Sequence, residues 1–339
     1  MGGAPSVKIV HLKNPANLAW RLAQGQRMLG HDAVVFSRGD VYDFPFDYYM
    51  PSGAKWNWWL IRHVNAIRQA DVVHIHGGIW RGELAYHILR MLKKRSMRIF
   101  VHYNGSEARQ GGGLHHQRVA DGFFYTDPDI VSLVPKDSIW VPQPVELPTI
   151  EPTIVDAARR GVCDRAVRPH TVVNTDRAVR FVHAPSSDAL KGTAKVVEMF
   201  DEAFGPLRKY ECLQFPGPRT VYYGKGADLW IVRGWSHERL QSVIAQADVV
   251  IDQISDLGIY GYASAEAMAY AKPVLSTIDR SLMPADCPVV FPCVSKLLDL
   301  ASHASVREHV GALGRAYVER LHASEVVAQR VIDAYLTFK

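Results

Sequence analysis

Short apolar runs alternate with amphipathic stretches along most of this chain, and the alternation predicts parallel strands covered on both faces by helices. Residues 7–12, 33–37, 71–76 and 99–103 are runs of the kind buried in a parallel sheet, and 123–126 and 138–141 add two more. A helix over 18–29, closed by Gly30, joins the first two. Pro142, Pro144, Pro148 and Pro152 then mark an exit from this first set of elements. The stretch 151–177 is polar and poorly periodic apart from a short helix near 156–160, and reads as a connection with an irregular insertion. The alternation resumes with strands over 179–184, 229–233, 249–251 and 274–277 and helices over 193–204, 237–245 and 264–270. Residues 206–226 read as loop with a turn at 222–226, and a last helix is expected over 325–336. The pattern implies an α/β protein with a first domain over 1–150 and a second over 178–324.

The length supports that division, because 339 residues exceed one ordinary core and suit two domains. Hydrophobic residues make up 48% and charged residues 22%, with no apolar run near the roughly 20 residues of a membrane span. The opening MGGAPSVKIVHLKN runs straight into a strand, so a cytoplasmic location is expected. Cys163, Cys212, Cys287 and Cys293 form no Cys-x-x-Cys pair, which argues against a zinc ribbon or a disulfide framework. The net charge of +5 favours anions without choosing among nucleotides, lipid phosphates and nucleic acid. Lys93, Lys94, Arg95 and Arg98, at the end of an amphipathic helix from about Glu83, read as a solvated helix end or as peripheral contact with the inner, anionic face of a membrane.

The stretch 247–278, ADVVIDQISDLGIYGYASAEAMAYAKPVLSTI, carries the most chemistry. After the apolar strand come Gly258 and Gly261, which let backbone approach a ligand, and then a helix whose free N–H groups and dipole suit a diphosphate. Amides around Tyr262, Ser264 and Ala265 would face it, and Glu266, read in the first turn, can accept hydrogen bonds from ribose hydroxyls. Lys272 and Pro273 end the helix.

Glu266, Ala267, Met268, Ala269, Lys272, Pro273 and Val274 resemble the Glu-Ala-Met-Ala and Lys-Pro-Val of the donor motif in GT-B glycosyltransferases of the family 4 type. Gly258 stands where that family carries a second glutamate touching the transferred sugar, with Asp256 nearby. Residues 183–193, HAPSSDALKGT, resemble the family's His-Ala-Pro-Ser and Lys-Gly-Thr, which implies that Lys191 pairs with the donor diphosphate. The family's accompanying arginine is missing between Pro185 and Lys191. The resemblance implies the GT-B fold, two Rossmann-like domains facing across a cleft, with the helix in 325–339 crossing back to the first domain. It also places the donor on the second domain and the acceptor on the first. Tyr260 lies in the same donor loop, and Arg233 and Trp235 end a strand where such enzymes hold the base.

In an open parallel sheet, ligands bind beyond the carboxyl ends of the strands. In the first domain those ends carry Asn14, Asn17, His76, Gly77, and the run from His102 to Arg109. Asn104, Gly105, Ser106 and Glu107 resemble the family's His-Gly-Ser-Asp loop, sometimes followed by an arginine, here Arg109. Asn104 takes the histidine's place and can orient a hydroxyl but not shuttle a proton. His76 or His102 would otherwise serve as base, unless the leaving phosphate takes the acceptor proton, as family 4 chemistry implies. His74 and His76 share a strand face with no carboxylate or cysteine at ligand spacing, so no metal is expected. The aromatic residues between Tyr42 and Trp59 read as core under a long loop or as acceptor surface.

The expected activity is transfer of a sugar from a nucleotide diphosphate sugar of UDP or GDP type, without a cofactor and with retention. The acceptor (glycan, lipid-linked, protein or nucleic acid) and the oligomeric state stay open. A noncatalytic binding protein on the same fold and a non-hydrolysing nucleotide-sugar epimerase are the alternatives.

Overall fold

The computed structural model describes residues 6–39, 42–51, 55–77, 90, 91, 93, 96–110, 118–149, 178–212 and 219–338. The expected connection 151–177, most of the helix from about Glu83, and Lys94 and Arg95 lie outside them. The chain divides into two compact units, Met1–Val145 with Leu321–Lys339, and Glu146–Arg320.

The first unit holds a seven-stranded sheet with β1 (Lys8–Leu12), β2 (Asp32–Ser37), β3 (Tyr48–Tyr49), β4 (Val72–His76), β5 (Arg98–Tyr103), β6 (Gly122–Tyr125) and β7 (Ile139–Trp140). Its order is β3-β2-β1-β4-β5-β6-β7, and every pairing is parallel. The order reverses between β1 and β4, which opens a ligand-binding position beyond their carboxyl ends. Strands so buried need apolar side chains on both faces. One face packs Val10, Leu12, Val73, Ile75 and Val101 against Ile67, and the other packs Ile9, Val35 and Phe100 against Leu22 and Val331.

Helix Ser324–Thr337 packs against helix Leu18–Met28, and Gly25 is the point of closest approach, since a Cβ there would overlap the carbonyl oxygen of Ser324. Ser324 Oγ donates to Val145 O at 3.0 Å and His322 Nδ1–H to Gln143 O at 2.8 Å, anchoring this helix to the end of the first segment. The aromatic stretch 42–59 forms the edge strand β3 and enters a helix, Lys55–Gln69, rather than one long loop. Trp59 is buried and donates to Tyr49 O, whereas Tyr48, Tyr49 and Trp58 are exposed.

The second unit holds a six-stranded sheet, ordered β13-β12-β8-β11-β10-β9, from β8 (Val179–His183), β9 (Arg208–Cys212), β10 (Arg219–Tyr223), β11 (Ala227–Val232), β12 (Val249–Ile251) and β13 (Val274–Leu275). β11, β8, β12 and β13 run parallel, with β8 central among them. β10 and β9 add an antiparallel edge where loop was expected. The edge strand β9 is hard to see as a strand because Arg208, Lys209 and Glu211 interrupt any apolar run, as charges on exposed edges do. Phe181, Leu229, Ile231, Val249 and Ile251 pack against helices Thr193–Phe204 and Val294–Ser302. Among the described residues no helix is long and apolar enough to cross a membrane.

Candidate active site

In the second unit the loops after β8, β11 and β12 meet at one end of the sheet. The β8 loop turns into a short helix, Asp188–Lys191, capped by Gly192 at φ +66°. Ile254 N donates to Lys191 O at 3.1 Å, and a Cβ on Gly192 would overlap Ile254 O, so glycine lets the two loops touch.

Lys191 is thereby aimed at the residues following β12. Its Nζ donates to Asp252 Oδ1 at 2.6 Å and to Gln253 Oε1 at 2.9 Å. The other oxygen of Asp252 accepts from Gly261 N at 2.5 Å and from Ser264 Oγ at 2.7 Å. Burial pushes the Asp252 carboxyl up, but the Lys191 ammonium and the hydrogen bonds from Lys191, Ser264 and Gly261 outweigh it and hold the group below the usual carboxylate range. Asp252 therefore occupies, from inside the protein, donors that would otherwise turn to a bound anion. A Cβ on Gly261 would fall 2.6 Å from Lys191 Nζ and 3.0 Å from Asp252 Oδ2, so a larger residue there would displace the lysine's end.

Arg233, after β11, reaches into the loop that lacks an arginine of its own. Its Nε donates to both oxygens of Asp188, at 3.0 and 3.2 Å, and holds that carboxyl below its usual range. Behind them His183 Nδ1–H donates to Ile251 O, and its Nε2 meets Thr193 Oγ1 at 2.9 Å. Two cations thus stand at this end of the sheet, each matched by an aspartate. Neither aspartate was singled out from the sequence. The available signal was a charged residue directly after the apolar run 249–251, where a buried strand end would otherwise continue apolar.

The helix after the glycine loop spans Tyr262–Ala269, starting two residues earlier than expected, with Gly261 as its cap. Glu266 consequently falls in the second turn rather than the first. It is 6% exposed, and its Oε1 accepts from His237 Nε2 at 2.5 Å. His237 opens the helix His237–Gln246, and the Gln241 amide stands 3.2 Å from the same ring nitrogen.

Several expected donor contacts are turned inward. Trp235 is buried, so its ring is not offered to a base, and Ser264 and Ala265 are fully buried, with Ser264 N donating to Gly261 O at 3.1 Å. The Tyr260 hydroxyl meets that of Tyr317 at 3.0 Å. Gly258 has φ +67° and lies against Asp279, a conformation in which a glutamate would be strained. Asp256 is exposed on the same loop.

In the first unit, Gly77 at φ +72° admits the Glu107 carboxylate, which lies 3.3 Å from Lys13 Nζ. Gly105, at the start of the short helix Gly105–Arg109, likewise admits the Asp127 carboxylate, and Arg109 pairs with Asp129 at 2.6 Å. Gly77, Gly105, Glu107 and Arg109 thus share one end of the sheet, with Asn104, whose buried Nδ2 has no partner among the described residues. Asn14 and Asn17 are buried instead. Asn14 Oδ1 accepts from Trp20 N and its Nδ2 donates to Pro45 O, so both residues shape the turn into helix Leu18–Met28 rather than face an acceptor.

His76 and His102, the candidate bases, require correction. Both are fully buried in a stack with His11 and His74, with ring centroids 4.2–5.4 Å apart. Gln26 Oε1 can only accept, so His11 Nε2 carries the proton to it at 2.7 Å, and His11 Nδ1 accepts from His76 Nε2–H at 2.9 Å. With no exposed surface, neither meets an acceptor hydroxyl from this position, and burial drives His102 down to about 3 and His76 well below the usual imidazole range. Ring nitrogens of His11, His74 and His76 lie within 4.8 Å of one another. One nitrogen of each of these rings is engaged inside the protein, His11 Nδ1 with His76 Nε2 at 2.9 Å and His74 Nδ1 with the Tyr335 hydroxyl at 2.5 Å.

No protein-family model and no curated protein matches this chain. Solved structures do. HepE of Anabaena in complex with UDP-glucose superposes with a TM-score of 0.65 at 9% identity, over 98% of this chain and 100% of that one. Its complex with UDP and glucose gives 0.64 at 10% identity over the same shares. A glycosyltransferase from Rickettsia africae gives 0.60 at 12% identity, over 99% of each chain. With a Rossmann-like sheet in each of its two units, this chain has the GT-B fold of glycosyltransferases.

Proposed function

We propose that this protein transfers a sugar from a nucleoside diphosphate sugar to an acceptor, with the donor held at the carboxyl end of the second unit's sheet. The observation that carries this reading is the convergence there of Lys191, Arg233, the Gly258–Gly261 turn, the start of helix Tyr262–Ala269 and Glu266. Lys191 and Arg233 bracket a diphosphate, the helix start adds its N–H groups, and Glu266 accepts from the ribose hydroxyls. The UDP and UDP-glucose bound by HepE support a uridine donor.

Cleavage of the sugar–phosphate bond leaves charge on the diphosphate, so fixed donors around it stabilise the transition state more than the ground state. In this reading configuration is retained and the leaving phosphate oxygen takes the acceptor proton. The burial of His76 and His102 agrees with a route that needs no imidazole base. The reading is also metal-independent, because Asp188 and Asp252, the carboxylates nearest the proposed diphosphate, are already matched to Arg233 and Lys191.

Lys191→Gln, which keeps a donor for Asp252 but removes the charge, is expected to weaken UDP binding about tenfold and to leave uridine binding unchanged, as measured by calorimetry. Equal losses for both ligands would remove Lys191 from the phosphate subsite. Chelator is expected to change neither affinity nor turnover, and a strict divalent-ion requirement would contradict the metal-free route.

A further inference from the structure

Glu266 reaches its position through a neighbour that no motif marks. A carboxylate on a helix rotates about three side-chain bonds, and fixing it over a ligand costs rotamer entropy unless the protein has done so beforehand. His237 supplies that constraint. It lies 29 residues earlier in the chain, at the start of the helix that packs against Tyr262–Ala269, and places Nε2 2.5 Å from Glu266 Oε1. The side chains of the pair are 14% and 7% exposed, so the bond is shielded from competing water.

The contact is one-sided. Glu266 is engaged through Oε1, and Oε2 is the oxygen the pair leaves for a ligand. Both β11, which leads through Arg233 to His237, and β12, which leads to the glycine loop, deliver their residues to the same end of the sheet.

We propose that His237 is a positioning residue for a ribose subsite, holding Glu266 by Oε1 so that Oε2 accepts from the ribose diol and the site distinguishes ribonucleotides from 2′-deoxyribonucleotides. This rests on the nucleotide-sugar reading above. A diol offers two donors and a 2′-deoxyribose one, and a fixed buried acceptor penalises the missing donor because its own desolvation is then uncompensated.

The test is calorimetric titration of UDP, GDP and their 2′-deoxy forms into wild type, His237→Ala and His237→Gln. Gln extends an N–H about as far as the imidazole Nε2. Wild type is expected to prefer the ribo form of the nucleotide it binds about tenfold. His237→Ala should lose that preference to within about threefold, by weakening the ribo form, and His237→Gln should restore it. The ratio is internal to each variant, so a change in folded fraction does not move it. Preference retained in His237→Ala, no restoration by His237→Gln, or a wild type that binds both sugars equally would each overturn the role of His237 while leaving the nucleotide-sugar reading intact. A wild type that binds none of the four overturns that reading and the inference with it.

Discussion

Acidification is expected to unfold the first unit before the second. His11, His74, His76, His102 and His322 are all fully buried in the first unit, and burial lowers each below the usual imidazole range: His11 and His322 to about 4, His102 to about 3, and His74 and His76 well below 6.5. In the second unit only His183 shows such a depression among the described residues. The unfolded chain binds protons on these imidazoles near pH 6.5, whereas the folded unit resists them down to about 4 or 3. Their contribution is therefore fully present above the unfolded value and is lost as pH falls from about 6.5 toward 4. At about 1.4 kcal/mol per pH unit, a histidine taken to pH 4 costs on the order of 3 kcal/mol, and a few together rival the roughly 5–15 kcal/mol that holds a domain folded. Hydrogen exchange between pH 7 and pH 4.5, corrected for intrinsic rates, should show β1, β4 and β5 losing protection before β8 and β11. Simultaneous loss in both units would mean that the histidine stack is not the acid-sensitive element.

Asp252 is expected to be the most costly single side chain to remove from the second unit. Its carboxylate accepts from Lys191 Nζ, Gly261 N and Ser264 Oγ at a position with 1% side-chain exposure. Asp252→Ala leaves a largely buried ammonium without its counter-charge and two donors without an acceptor, a loss of about 3–5 kcal/mol. Urea unfolding of the second unit reads this directly, and a cost below about 1 kcal/mol would show that water replaces the carboxylate. Asp252→Asn is expected to act on ligand affinity. It keeps an acceptor for Gly261 and Ser264 but frees the charge of Lys191 for a diphosphate, so UDP should bind more tightly and with a steeper salt dependence. Weaker UDP binding in a folded Asp252→Asn protein would mean that the carboxylate is needed to hold Lys191 in place.

These two effects mark what a sequence can and cannot disclose here. The parallel strands were legible because a buried strand tends to be apolar on both faces, as 33–36 and 249–251 are. The fold class followed, since alternating strands and helices leave few other arrangements. The edge strand β9 was not legible, because Arg208, Lys209 and Glu211 break the apolar signal. Within the site, Glu266 stood out through a local motif, whereas its partner His237 did not. Asp252 lies 61 residues from Lys191, and Asp188 lies 45 from Arg233. Contacts of that span are made by strand order, not by spacing. Burial explains the rest. His76, His102, Asn14, Asn17 and Trp235 have residue types that suit chemistry or stacking, and only the packed structure shows them facing the core.

The central claim is that the second unit binds a nucleoside diphosphate sugar through Glu266 and its neighbours. Calorimetric titration of a panel of UDP- and GDP-sugars into wild type and Glu266→Ala tests it most directly. Binding confined to one base, weakened at least about tenfold in a Glu266→Ala protein that unfolds at the wild-type midpoint, is the result this account predicts. Absence of binding across the panel, or equal binding by both proteins, would contradict it.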